Sequence, residues 1–534
     1  MNRKELAGML EYAADLMEVL GEGEFRAQAY RRAARNIEKL DADLEALAAQ
    51  GFKGVPGVGP TLAPMLTEIV QSGEFAYMAE LEAQVPPGVL EFFRVQGLGP
   101  KRIRALWEHG VDSLEELIRH GEAGRLRGIP GFGAKTEANL VQAARFALEG
   151  LRRVLWGEAV EAAELLLADF ASAGIRAEVA GSFRRGLETI GNLDFVVLAQ
   201  PEAVQNALGR YIERIEGSVL HGQLGGLPLK VFCAAQQNYG TVLVRATGSL
   251  AFLEALGALP EAPTEAEVFE RLGRRPVSPY WREPEHLGLE EPAQPLRRED
   301  LLGLIHCHST YSDGTASLRA MAEAAIAEGY SYMVISDHSQ SASYAGGLEP
   351  QRVKAQWTEI EKLNAELAPF RILKGIESDI LPDGSLDYPD EMLAGFDVVI
   401  GSLHSGLNLP KEEQTRRLLR ALDNPYLKIL GHPTGRLLLR RRGAEADWER
   451  VLERAAERGA IIEINCNYHR CDLDWRLALK WRDRLRFSLG TDAHGLEGLS
   501  SIAYGLALAA KAGLGKKQVV NAWTPETWGQ AKTT

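Results

Sequence analysis

From about residue 300 onward, short apolar runs recur with helical text between them, and nearly every run ends in a histidine, aspartate or glutamate. The runs are 301–305 (LLGLI), 331–335 (SYMVI), 371–375 (RILKG), 396–401 (FDVVIG), 426–430 (YLKIL), 459–464 (GAIIEI) and 486–490 (RFSLG). Runs that are apolar throughout, without alternation, read as strands buried on both faces, and strand–helix alternation makes such strands parallel. Seven repeats predict a barrel, in which the carboxyl ends of the strands meet on one face.

That geometry gives the residues after each run a common destination. The first run leads into His306, Cys307, His308 and Asp313, the second into Asp337 and His338, and the third into Glu377. His404 follows the fourth, His432 the fifth, and Asp492 and His494 the seventh. Six of the chain's eleven histidines fall at these ends. One histidine after a strand is ordinarily a cap or a satisfied core group; six at equivalent places, beside carboxylates, predict a metal centre. Imidazole and carboxylate donors suit zinc, manganese or iron alike. Clustered divalent ions lower the pKa of a bound water and clamp the oxygens of a phosphate ester, so phosphoester hydrolysis is the expected reaction class. On a regular strand Cys307 would face away from its histidine neighbours, into the core. His469, in NCNYHRCDLD after the sixth run, receives no assignment.

The first 150 residues are written differently. An amphipathic helix with apolar positions at Leu6, Met9, Leu10, Ala13, Leu16 and Met17 precedes three glycine turns, each leading into a helix. They are Gly57-Val58-Gly59, Gly97-Leu98-Gly99 with Lys101, and Gly131-Phe132-Gly133 with Lys135. Such turns present backbone amides to a phosphate while the missing side chains permit close approach. Net charge is −13, which argues against a basic coat; backbone amides, however, hold phosphates without charge. The opening segment reads as an amphipathic helix with no export-signal core, no apolar run suits a membrane helix, and the four cysteines form no CxxC pair. A cytoplasmic location is expected.

The motifs resemble known families. The three glycine turns resemble helix-hairpin-helix elements that grip DNA without reading its sequence. His306-Cys307-His308-Ser309-Thr310-Tyr311-Ser312-Asp313-Gly314, Asp337-His338-Ser339, Gly375-Ile376-Glu377, Ser402-Leu403-His404-Ser405, Gly431-His432-Pro433-Thr434-Gly435-Arg436 and Thr491-Asp492-Ala493-His494 resemble the PHP phosphoesterase domain at the C-terminus of bacterial family X DNA polymerases. The resemblance implies three divalent ions: one on His306, His308, Glu377 and Asp492, a second on Glu377, His404 and His432, and a third on Asp313, His338 and His494. Glu377 and Asp492 would anchor catalysis; Arg436 either adds a phosphate contact or is a structural loop arginine.

The middle of the chain, from Ala180-Gly181-Ser182-Phe183-Arg184-Arg185-Gly186 to Asn192-Leu193-Asp194-Phe195, resembles the nucleotidyltransferase signature of the same family, and Thr247-Gly248-Ser249 its sugar-contacting turn. Here the departures matter. The polymerase reaction needs three carboxylates; one place holds Asn192, another Pro228, and only Asp194 is acidic. An amide and a proline cannot replace anionic oxygen ligands for a hard cation. Arg245-Ala246 stand where an aromatic pair is expected, Leu253 replaces a base-contacting asparagine, and Met65 replaces the lyase lysine.

The expected architecture is therefore multidomain. Helical DNA-binding segments (1–85 and 86–150) precede an α+β nucleotidyltransferase-like palm (151–235) and a thumb-like part (236–285). A linker (286–300) leads to a seven-stranded α/β PHP barrel (301–534). The expected function is hydrolysis of DNA phosphoesters at 3′ ends or abasic sites of gapped or nicked DNA, by a repair nuclease whose polymerase site has degenerated. The rivals are an active gap-filling polymerase, a histidinol-phosphate-type phosphatase and a non-catalytic DNA scaffold.

Overall fold

The computed structural model describes residues 3–38, 40 and 43–528. Up to Arg152 the chain forms one helical unit and from Arg153 a second unit. In the first, the helix Arg3–Leu20 buries Leu6, Leu10, Ala13 and Met17, one stripe at three- and four-residue spacing. The helix Glu24–Glu38 meets the same core with Ala27, Tyr30, Ala34 and Ile37. That core continues through Leu66, Phe92, Ile103 and Leu117 to Ala147. The division expected at 85/86 is thus crossed by a single apolar cluster, because Val89 and Phe92 just beyond it are buried in the same interior.

The second unit begins with a five-stranded mixed sheet: β1 (Ala177–Val179), β2 (Leu193–Leu198), β3 (Ile212–Glu216), β4 (Val219–Leu224) and β5 (Leu227–Ala234), in the order β1-β2-β5-β4-β3. The hairpin β3–β4 has polar, half-exposed strands, so it lacks the apolar runs that identify β2 and β5. Three short helices, Tyr239–Thr247, Leu250–Leu256 and Glu265–Arg271, follow, with a small core of Val244, Phe252, Leu256, Val268 and Phe269. The segment 286–300, expected as a linker, is packed onto the barrel. His286 is buried in a stack between Trp281 and Trp475 (4.3 and 5.2 Å between ring centroids), its Nε2 lies 2.7 Å from the Lys511 carbonyl, and Leu296 is buried. Proline and charge in this stretch disguise a few apolar anchors.

Among the described residues, seven parallel strands close the barrel: β6 (Gly303–Cys307), β7 (Tyr332–Ile335), β8 (Arg371–Asp379), β9 (Val398–Ser402), β10 (Leu427–Gly431), β11 (Ile461–Asn465) and β12 (Arg486–Ala493). Ile305, Val334, Leu373, Val398, Ile400, Ile429 and Ile461 fill the interior, while outward residues such as Leu304, Met333, Ile372 and Leu430 pack beneath the helices. No described helix is long and apolar enough to cross a membrane.

Closure of the barrel joins its first strand to its last, β6 to β12, and a buried amide staples that seam. Asn521 Oδ1 accepts from Leu489 N (2.7 Å), and its Nδ2 donates to Leu489 O (2.9 Å) and Gly303 O (3.1 Å). An alanine there leaves three buried backbone groups without partners, each costing roughly 1–3 kcal/mol before relaxation. Asn521→Ala should therefore destabilise the second unit by about 2–4 kcal/mol, read as a shift in its unfolding midpoint in urea. A midpoint within error of wild type would show that the strands close without the amide.

Candidate metal centre

Three of the expected ligands sit in left-handed backbone: His306 (φ 63°), His432 (φ 23°) and Asp492 (φ 51°). For residues with a Cβ such angles are uncommon and are held only where the surroundings over-determine them. Two coincide with breaks in the ladder. The pairing of β6 with β7 skips between Leu304 and Cys307, and that of β12 with β6 between Gly490 and Ala493. A bulge re-aims side chains, and here His306 and His308 reach the same cluster while Cys307 is fully buried with Sγ 3.4 Å from Thr491 Oγ1.

At the carboxyl end of the barrel the structure brings all nine side chains together, and Glu377 is their centre. Its Oε2 lies 3.4 Å from His306 Nε2 and 3.6 Å from His308 Nε2. Asp492 Oδ1 lies 3.3 Å from His308 Nε2. Glu377 Oε1 faces the other way, 3.2 Å from His404 Nε2 and 2.7 Å from His432 Nε2. Asp313 Oδ1 gathers His494 Nε2 at 3.3 Å and His338 Nε2 at 3.6 Å. Four overlapping groups of these side chains have ligand atoms within 4.8 Å of one another.

This donor set fits divalent cations. Ligand atoms about 2.1 Å from an ion stand about 3–3.5 Å apart, the spacing seen here. His306 Nε2, both ring nitrogens of His308, His338 Nδ1 and Glu377 Oε2 are buried without hydrogen-bond partners, an arrangement that folding tolerates poorly unless something is bound there. The electrostatics are divided within the cluster. Burial opposes ionisation of Glu377, but the imidazoles of His404, His306 and His338 hold it well below the usual carboxylate range. Burial and the neighbouring His494 push His308 down to about 3, whereas His404 overcomes its burial through Glu377 and Asp379 and rises to about 10.

Two further carboxylates orient the ring. Glu463, fully buried, sits 2.5 Å from His306 Nδ1 and accepts from His432 N. Asp379 is bonded to His404 Nδ1. Each fixes the tautomer that turns Nε2 toward the cluster. Glu463 lies in the one strand with no ligand at its end, and its charge within IIEIN was the available signal; Asp379 lies two residues past Glu377, on the same face of β8.

Arg436 does not reach the cluster. Its guanidinium donates to Arg470 O (2.9 Å), Cys471 O and Asp474 Oδ2 (2.8 Å) and lies 3.7 Å from Glu188 Oε1, which fixes the 470–474 loop. The cation at the cluster is Arg470, whose Nε lies 3.5 Å from Asp492 Oδ2. His469 belongs to none of the four groups and stacks on Tyr468 at 4.4 Å.

In the helical unit the three glycine turns share one geometry. Gly57, Gly97 and Gly131 have φ of 81°, 84° and 90°, which only glycine adopts freely. Gly59, Gly99 and Gly133 each accept a backbone bond from the following helix. Open space surrounds Gly97, Gly99, Gly131 and Gly133, whereas Asn36 and Arg32 cover Gly57. Lys101 is ion-paired with Glu24 (3.3 Å) and Glu18 (3.8 Å); Lys135 is exposed and has no ion pair among the described residues.

At the palm, Asp194 accepts from Asn192 Nδ2 (2.6 Å), and burial pushes it up to about 6. Asp194 pairs across β2–β5 with Lys230, and Gly181 packs against its carboxylate. Ser182 is half-buried in the short helix Gly181–Arg184. Arg185 pairs with Glu283 (2.9 Å) and donates to Thr247 O. Gly248 packs tightly against Leu253 and Phe252, and Ser249 caps the next helix. No group of three or more potential ligands forms there among the described residues.

Comparison with known proteins places these features. Family models match residues 1–75 (a helix-hairpin-helix domain), 89–145 (a SAM-like helix-hairpin-helix tandem) and 305–467 (a PHP domain). Over 98% of both chains the protein is 32% identical to the DNA polymerase/3′-5′ exonuclease PolX of Bacillus subtilis. Over shorter stretches it is similar to proteins named "Probable phosphatase". It is 42% identical over 98 residues to one from Caldanaerobacter subterraneus (18% of this chain, 36% of that one) and 32% identical over 164 residues to one from Acetivibrio thermocellus (30% and 63%). Full-length similarity, glycine turns and barrel site agree: the chain belongs to the bacterial PolX-type family X DNA polymerases with a C-terminal PHP domain.

Proposed function

We propose that this protein hydrolyses DNA phosphodiesters at the barrel site, trimming 3′ ends or cleaving at abasic sites, and that its polymerase core is silent. The observation that carries the reading is Glu377, whose two oxygens face two separate sets of imidazoles. His306, His308, Glu377 and Asp492 would hold one ion, Glu377, His404 and His432 a second, and Asp313, His338 and His494 a third. Zinc, manganese and iron all suit these donors. Divalent ions bound there activate water and neutralise charge on the phosphate. Glu463 and Asp379 keep the imidazoles in the orientation this requires. Hydrolysis adds water oxygen to phosphorus, breaks the P–O3′ bond and leaves the proton on the departing 3′ oxygen.

The barrel relatives named as phosphatases favour a second reading, action on small phosphomonoesters. A nuclease assay on 3′-labelled DNA beside a phosphomonoester assay separates the two. For the nuclease reading, Glu377→Gln and Asp492→Asn should each lower kcat on DNA about a thousandfold, in line with the loss of a charge-stabilising group, together with bound metal measured by elemental analysis. Full activity in both variants would remove the cluster from catalysis.

The open turns at Gly97–Gly99 and Gly131–Gly133 support a sequence-tolerant grip on DNA. Affinity should fall with salt, and Lys135→Ala should weaken binding to all sequences alike and reduce the salt slope by about one. Lys101→Ala should do less, because Glu18 and Glu24 already neutralise that amine. Equal effects of the two substitutions on salt titrations would contradict this.

Silence of the palm follows from its charge. A two-metal transfer needs anionic ligands on both ions, and Asp194 stands alone, bonded to an amide and opposite Lys230. Primer-extension assays should show no template-dependent incorporation; incorporation that Asp194→Ala abolishes would overturn this part of the reading.

A further inference from the structure

Above the metal cluster stands an aromatic ring for which the core has no use. Tyr344 is 70% exposed, yet its ring centroid lies 6.1 Å from that of His338 and 6.3 Å from that of His404. The turn that carries it is tightly fixed. Ala345 N and Gly347 N both donate to Ala342 O (2.9 and 3.1 Å), and Leu348 N donates to His338 O (2.8 Å). At Gly347 a Cβ would stand 2.0 Å from Ser339 O, so only glycine lets the turn approach the strand end that carries His338 this closely. The ring stands at the edge of the site, largely open to solvent.

One guanidinium, Arg470, touches the cluster, and a second, Arg441, stands on the loop tied to it. Arg470 lies on a loop set by Asn467, whose carbonyl accepts from Arg470 N (2.8 Å) and Cys471 N (2.9 Å). Its Nε stands 3.5 Å from Asp492 Oδ2, its one ion pair among the described residues. Arg441 is fixed by two bonds from Nε and Nη2 to Gly435 O (3.1 and 2.7 Å). The 436–442 and 467–472 loops are tied together by Leu438 N donating to His469 O (2.7 Å). Burial, and then the adjacent charge of Arg470, hold Arg441 below the usual guanidinium range. Two cations kept within mutual repulsion at the edge of a phosphoesterase site suit a ligand that carries anionic oxygens. Tyr344 stands beside His338 and His404, Arg470 beside Asp492, and Arg441 on the loop tied to that of Arg470; the ring also feels the charge of both arginines.

We propose that Tyr344, Arg441 and Arg470 form a nucleotide subsite on the rim of the metal centre, in which the Tyr344 ring stacks on the 3′-terminal base of a DNA strand while the two guanidiniums hold the phosphate next to it. The proposal rests on the 3′-end-trimming branch of the nuclease reading above and deepens it, because it names a terminal nucleotide that bears a base, and not an abasic one, as the preferred substrate. Stacking on an aromatic side chain accepts every base, since each has a π face, so the subsite selects for a base without selecting which. A site for small phosphomonoesters has no need of such a platform.

The test compares two single-stranded oligonucleotides, identical except that one ends in a normal 3′ nucleotide and the other in a 3′ tetrahydrofuran residue without a base. The wild-type full chain should cleave the first with a kcat/KM about tenfold higher, the scale of one base–aromatic stack. Tyr344→Ala should bring the ratio near one, and Tyr344→Phe should keep it, because the ring and not the hydroxyl acts. A 3′-terminal 2-aminopurine on a hydrolysis-resistant phosphorothioate linkage gives a readout without turnover: its fluorescence should be quenched on binding wild type and Tyr344→Phe but not Tyr344→Ala. Arg441→Gln and Arg470→Gln should raise KM for both oligonucleotides together and flatten its dependence on salt. An unchanged cleavage ratio and unchanged quenching in Tyr344→Ala would overturn the subsite while leaving the nuclease intact. Failure of the wild type to cleave either oligonucleotide would instead remove the nuclease reading, and the subsite with it.

Discussion

Everything at the mouth of the barrel depends on one buried carboxylate. Glu377 is fully buried, and its two oxygens meet five imidazoles at 2.7–3.6 Å. A carboxylate without such partners would not remain ionised in that position, and imidazoles stacked as closely as His308 and His494, 4.2 Å between centroids, would repel one another once charged. The arrangement is sustained from behind by Glu463 and Asp379 and from below by the bulges that place His306 and Asp492 in left-handed backbone. Strain of that kind persists where the strands on either side are pinned, and a closed barrel pins every strand.

The signature turn of the palm is built into the packing of its unit. Arg184, Arg185 and Glu188 occupy the nucleotidyltransferase turn, yet each is engaged structurally: Arg184 with Glu265 (2.8 Å), Arg185 with Glu283 (2.9 Å) and Glu188 with Arg476 (3.3 Å). Glu283 also receives the buried amine of Lys511, 3.3 Å away. Burying these groups is tolerable because they are paired. The same turn thus serves the packing of the palm on the barrel and holds two layers of one unit together.

Much of this was legible in the chain. The barrel strands lie within a few residues of the apolar runs, because strands buried on both faces cannot hide their composition, and the nine ligand types converge because parallel topology sends every strand end to one side. What sequence did not disclose depends on tertiary contacts. Arg436 stands in a motif that suggests phosphate contact, but only the fold shows its guanidinium spent on the carbonyls of Arg470 and Cys471, with Arg470 taking the place beside Asp492. The bulges at His306 and Asp492 leave no compositional mark. The hairpin β3–β4 is too polar to register as strand, and the stretch 286–300 reads as linker because its anchors, His286 and Leu296, are isolated among charged and proline residues.

The seam between β6 and β12 has a consequence for how the protein comes into being. Its two strands are separated by roughly 180 residues of chain, so the ring cannot shut until the last strand has left the ribosome, and the Asn521 staple follows later still. The helical unit, by contrast, draws its core entirely from the first 150 residues. Contacts of long sequence separation form slowly, and domains made first fold first. The unit that carries the glycine turns is therefore assembled while the barrel is an open row of apolar strands. That row is the interval in which a nascent chain of this kind needs protection from its neighbours.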